Sequence, residues 1–95
     1  MAGNMYEDPK ELGEQVMDFH RAIASLMEEL EAIDNYNQRI AATKDQNLKT
    51  ILVHNRDEEK EHAAMLMEYL RRVDPKFEHE FKDILFSEKR FEEMG

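Results

Sequence analysis

Glu59 and His62 stand three residues apart, a Glu-x-x-His pair that on a helix sets a carboxylate and an imidazole on one face, toward one ion. The pair alone is weak, because the chain has 22 acidic residues and such pairs arise by chance. Its position gives it weight. Asn55, Glu59 and His62 fall in the stripe that Leu48, Leu52, Leu66 and Val73 mark as apolar. A bare carboxylate in that stripe must find a partner or take up a proton. A metal ion satisfies Glu and His together. Glu29 offers a second carboxylate one turn from Leu26 and Ile33, on a face with Ala22, Ser25, Ala32 and Tyr36 whose small residues admit a close helix neighbour. The chain has no cysteine, so a site here is built from carboxylate and imidazole, which suit iron, manganese or zinc.

These residues need long helices to hold them. Asp8-Pro9 is a helix start, with an acidic cap before a proline that fits the first turn. From Val16, the residues Phe19, Ile23, Leu26, Leu30, Ile33 and Ile40 continue a three-and-four spacing that predicts one amphipathic helix to about Ala42. Thr43 to Gln46 reads as a short turn in which Thr43 or Asp45 caps a second helix. That helix runs to Val73 and stops before Asp74-Pro75. A third, short helix then puts Phe77, Phe81, Ile84 and Leu85 on one side, across the hairpin's end. Residues 1–8 read as a flexible arm and 87–95 as a polar, frayed tail, around a single helical domain spanning 1–95.

The expected class is therefore all-α: an antiparallel two-helix hairpin plus a short C-terminal helix. Two helices cannot cover their own apolar faces, so two hairpins should pair into a four-helix bundle. Di-iron carboxylate bundles use one Glu from each of two helices and a Glu-x-x-His from each of two others. One chain offers Glu29 with Glu59 and His62, which is half that set, and a twofold homodimer completes it.

Composition narrows the partners. A net charge of −9 without a Lys/Arg cluster argues against nucleic acid. No apolar run is long enough to span a membrane, and Met1 to Asp8 has no signal-peptide core, so a cytoplasmic origin is expected. Met17, Met27, Met65 and Met67 read as core filler, and His20 and His79 as surface or packing residues. The residues alone also admit a bland reading, because a charged patch is usually a solvated face and a seam histidine is often only hydrogen-bonded. A non-enzymatic helical assembly or a metal-buffering protein stays open on these grounds.

Three runs carry a resemblance over most of the chain from about His20 to Phe86. Met27-Glu28-Glu29-Leu30-Glu31-Ala32-Ile33-Asp34 with Tyr36-Asn37-Gln38-Arg39 is one, and Leu70-Arg71-Arg72 followed by Asp74-Pro75-Lys76 is another. The most specific extends from Ile51 through His54-Asn55-Arg56-Asp57-Glu58-Glu59-Lys60-Glu61-His62 to Met65. Together they resemble the encapsulated ferritins of the ferritin-like superfamily. The resemblance implies a half-ferritin ferroxidase that oxidises Fe(II) with dioxygen, assembled as a ring of dimers, typically a decamer, inside the shell of an encapsulin nanocompartment.

By that resemblance Glu29, Glu59 and His62 are the ferroxidase ligands, holding two irons per dimer for iron storage, with Tyr36 beside the centre. It further implies an access site at Glu28 and Glu31 and an outer site at His54, Glu58 and Glu61, where calcium, zinc or manganese are further candidates. The last three also share a helical face by their spacing alone. Two departures stand out: Asn35 occupies a position where the family commonly has an aromatic beside the tyrosine, and Phe91-Glu92-Glu93-Met94-Gly95 shows no apolar targeting peptide.

Overall fold

The computed structural model describes residues 5–95, and all of their regular structure is helical, without a strand among them. A 3-10 turn at Pro9–Glu11 leads into α1 (Gly13–Ala42), α2 (Gln46–Val73) and α3 (Pro75–Ile84), and a last 3-10 turn covers Phe91–Glu93. The arm expected over residues 1–8 lies partly outside the described residues.

Most helix ends fall where their chemistry requires. Asp45 caps α2 by accepting from the amides of Asn47 and Leu48 at 2.9 and 3.2 Å. Thr43 contributes differently, its hydroxyl accepting from the Asp45 amide at 3.2 Å. Asp74 closes α2 and caps α3, accepting from Lys76 and Phe77 while Pro75 occupies the first turn.

Two ends differ from expectation. Asp8 caps only the 3-10 turn, accepting from the Lys10 amide at 3.0 Å, and α1 proper begins at Gly13. Gly13 has φ +79°, a conformation glycine adopts freely and one that interrupts a right-handed helix running on from Pro9. The polar tail also carries a short 3-10 turn at Phe91–Glu93. Arg90 and Glu93 form a local box in which the Arg90 amide and side chain both reach the Glu93 carboxylate.

α1 and α2 are 30 and 28 residues long, each about 40 to 45 Å. They lie antiparallel, and α3 turns away so that the molecule extends 49 × 39 × 20 Å. Phe77 of α3 meets Phe19 of α1 with ring centroids 6.2 Å apart, and Phe81 meets Phe77 at 5.4 Å.

Very little of this hairpin is a core. Among the described residues, only Ala22, Ala63 and Leu70 are buried apolar ones, and no side chain is fully enclosed. The accessible surface is 7715 Å², whereas a compact 11.3 kDa chain exposes about 5,700 Å². The excess is comparable to what a stable protein–protein interface removes from water. Leu48 and Val73, expected in a buried stripe, are about half exposed, because one opposing helix covers only one side of it. Met27, Met65 and Met67 likewise lie on the surface of the single chain instead of filling its core. No helix among the described residues is long and apolar enough to cross a membrane.

Candidate metal centre

The antiparallel register brings the middle of α1 beside the middle of α2, and Glu29 meets Glu59 and His62 there. One ligand atom from each lies within 4.8 Å of the other two. His62 Nδ1 is 3.5 Å from Glu29 Oε2 and 3.7 Å from Glu59 Oε2. Both distances exceed a good hydrogen bond, and Glu29 Oε2 is buried without a hydrogen-bond donor. An unsatisfied buried carboxylate oxygen is costly, and a cation between the three groups would remove that cost. Two carboxylates and an imidazole are also the donor set that iron accepts. The residues therefore fit a metal ion.

The site opens to one side. The two glutamate side chains are 24% exposed, whereas His62 is 48% exposed. His62 lies within an α2 stripe of Leu48, Ile51, Met65, Tyr69 and Val73, all left open at helical spacing. On α1, the small residues Ser25 and Ala32 flank Glu29 and are half-buried. Three candidate ligands thus lie beside an apolar rim that the single chain leaves uncovered.

The other candidate residues do not join this cluster. Glu28 and Glu31 are exposed on α1. His54 Nε2 pairs with Glu58 at 2.8 Å, and Glu61 is exposed further along α2. Among the described residues, no other three His or acidic groups come together as 29, 59 and 62 do. Tyr36 lies two turns past Glu29, half-buried, with the Arg39 guanidinium 5.6 Å over its ring. His20 is half-buried and His79 exposed, 3.8 Å from Glu80.

Arg56 and Asn37 did not stand out in the sequence. Arg56 Nη1 donates to Asn37 Oδ1 at 3.2 Å, bridging α2 to α1 near the cluster. The available signal was register, since Arg56 precedes the buried Ala63 and Leu70 by seven and fourteen positions.

A helical hairpin with Glu on one helix and Glu-x-x-His on the other is half of a ferritin-like carboxylate–imidazole arrangement. The chain belongs to the EncFtn-like family, whose model matches residues 4–88. It is 52% identical over 88 residues to an encapsulated ferritin-like protein of Rhodospirillum rubrum, covering 92% of this chain and 63% of that protein. It is 47% identical over 94 residues to a ferritin-like protein of Thermotoga maritima, covering 99% of this chain and 82% of that one. A shorter match, 49% identical over 47 residues, is to the encapsulin nanocompartment cargo protein EncC of Myxococcus xanthus, covering 50% of this chain and 36% of that protein. A crystal structure of a Nitrosomonas europaea protein superposes with a TM-score of 0.89 at 60% identity, covering 92% of this chain and 96% of that one. The fold is thus the ferritin-like helical one, and the chain spans just under two thirds of the Rhodospirillum relative's length.

Proposed function

We propose that this chain is a ferroxidase whose two-iron site forms between two copies, each supplying Glu29, Glu59 and His62. The carrying observation is the Glu29 oxygen, buried without a donor in a three-ligand cluster whose histidine faces an uncovered apolar stripe. Closing two such faces together excludes water and gives four carboxylates and two imidazoles, the complement of a di-iron bundle.

Iron is the substrate in this reading. Acidic residues, Glu28 and Glu31 among them, draw Fe(II) toward the site, and His54, Glu58 and Glu61 form an outer acidic group. The four carboxylates hold two Fe(II), and each passes one electron to dioxygen, which takes up two protons from water and leaves as hydrogen peroxide. Anionic oxygens favour the more highly charged product, while the imidazoles leave coordination room for oxygen. Tyr36 lines the approach two turns along α1.

A second open flank supports assembly beyond the dimer. Val16, Ile23, Met27 and Leu30 recur at helical spacing on α1, about a third of a turn or more from Glu29, and all but Ile23 are exposed. Dimers joined through that flank form a ring, a decamer by family resemblance. An open ring encloses no store, so mineral accumulates only inside a surrounding shell. The relatives named as encapsulated ferritin-like protein and encapsulin cargo support an encapsulin shell as that partner.

The test is aerobic oxidation of Fe(II) by the purified chain, followed by ferric absorbance and oxygen consumption. Glu29→Ala and His62→Ala should each abolish most of the rate. Unchanged rates in both variants would leave a helical assembly module or a metal buffer as the function.

A further inference from the structure

Arg56 is the least exposed of the basic residues held in ion pairs. Its side chain is 23% exposed, against 31% for Arg71 and more than half for each of the other paired lysines and arginines. It stands three residues before Glu59, so the two share a helical neighbourhood. Its guanidinium is fixed at two points, donating to Asn37 Oδ1 of α1 and to Asp57 Oδ1, each at 3.2 Å. Among the described residues, Arg56 to Asn37 is the only side-chain hydrogen bond that joins α1 to α2. An anchored positive charge therefore lies along the hairpin from the ligand cluster, at roughly 10 Å by helical rise.

We propose that Arg56 is a selectivity residue that biases the site toward divalent iron and against the trivalent product. This rests on the ferroxidase reading above. Four carboxylates from two copies balance two divalent ions, whereas two trivalent ions leave two positive charges in excess. Each chain adds one Arg56, and its repulsion acts on one more unit of charge in each trivalent ion than in a divalent one. At an effective dielectric of about 20, that extra unit shifts the trivalent-to-divalent preference by roughly tenfold, less at high salt. Asp57, 56% exposed and itself 3.9 Å from Lys60, offsets only part of this field because water screens it. Oxidised iron is thereby held less firmly than it would be without Arg56, which eases emptying of the site for the next pair.

The test measures binding instead of turnover. Co(II) and Tb(III) are titrated separately into the full chain, and the binding that persists in Glu59→Gln is subtracted to remove the acidic surface. Arg56→Gln should shift the Tb(III)-to-Co(II) affinity ratio about tenfold toward Tb(III). Arg56→Lys keeps the charge and should stay close to the unmodified chain, and Asp57→Asn should shift the ratio the opposite way. Circular dichroism checks that the helices persist. If Arg56→Gln does not fold, the Lys and Asn variants carry the test. A ratio unchanged by Arg56→Gln, or by Asp57→Asn where only that variant folds, overturns the proposal while Co(II) still binds. Absence of Co(II) binding above background in the unmodified chain overturns the ferroxidase reading, and this inference with it.

Discussion

Two clusters of charged groups lie along α2, and they are satisfied in opposite ways. At the α2–α3 corner, Glu68 accepts from Arg71 at 2.8 and 2.6 Å and from Arg72 at 2.7 Å, and Arg71 reaches on to Glu78 of α3 at 3.1 Å. Every strong charge there has its counterpart inside the chain. About two turns away, Glu29, Glu59 and His62 crowd together, and one buried carboxylate oxygen has no hydrogen-bond donor. The corner is complete as it stands and fixes the direction in which α3 leaves. The middle leaves a buried carboxylate oxygen unsatisfied in a single chain, which is why we propose it as the working site.

The largest expected effect separates the two on activity. Glu59→Gln should lower the initial rate of aerobic Fe(II) oxidation by about a hundredfold or more, since even outer-shell losses cost 10- to 100-fold at metal sites. Glu68→Gln should leave that rate within about twofold, because no ligand depends on it. Comparable losses in both variants would erase the distinction.

Metal-linked stability is the next step down. A divalent ion at about a hundred times its dissociation constant should stabilise the unmodified chain by about 2.7 kcal/mol, read as a rise in Tm. The same titration should leave His62→Ala almost unmoved. In the metal-free protein the order reverses: Glu29→Gln relieves a crowded carboxylate whose buried oxygen has no hydrogen-bond donor and should raise Tm by a few degrees, whereas Glu68→Gln breaks satisfied pairs and should lower it slightly.

The helical frame could be read almost completely from local chemistry. The α1 terminus at Ala42, the Asp45 cap and the Asp74-Pro75 junction each follow from residues that act on their nearest neighbours. The start of α1 could not, because Asp8-Pro9 and Gly13 send competing signals and only the folded backbone shows that glycine takes a positive φ. The trio at 29, 59 and 62 was legible because helical spacing fixes faces and a short turn fixes antiparallel register. The Arg56–Asn37 bridge was not, since its partners are 19 residues apart and neither belongs to an apolar pattern. The depth of the exposed stripes was legible only in part: the spacing of Leu48, Met65 and Val73 shows that they share one side, but their burial depends on how much surface the single opposing helix covers.

The smallest effect concerns acid. Arg71 and then Arg72 hydrogen bonds, with their positive charges, hold the Glu68 carboxyl down to about 2 from an ordinary 4.5. A carboxylate whose folded pKa is depressed adds stability that is complete above the unfolded value and disappears as pH falls through the folded one. The stability gap between the unmodified chain and Glu68→Gln should therefore close between pH 4.5 and 2, by urea unfolding at each pH. A gap that persists unchanged at pH 2 would show that the corner does not act through this charge.

Iron-edge anomalous diffraction from crystals soaked in Fe(II) tests the shared site most directly. The expected map shows two peaks on or about a twofold axis, each within bonding distance of carboxylates from both chains, with Glu29, Glu59 and His62 of each copy turned inward. Iron held by one chain alone, or these three side chains facing solvent in the assembled protein, would contradict a site built from two halves.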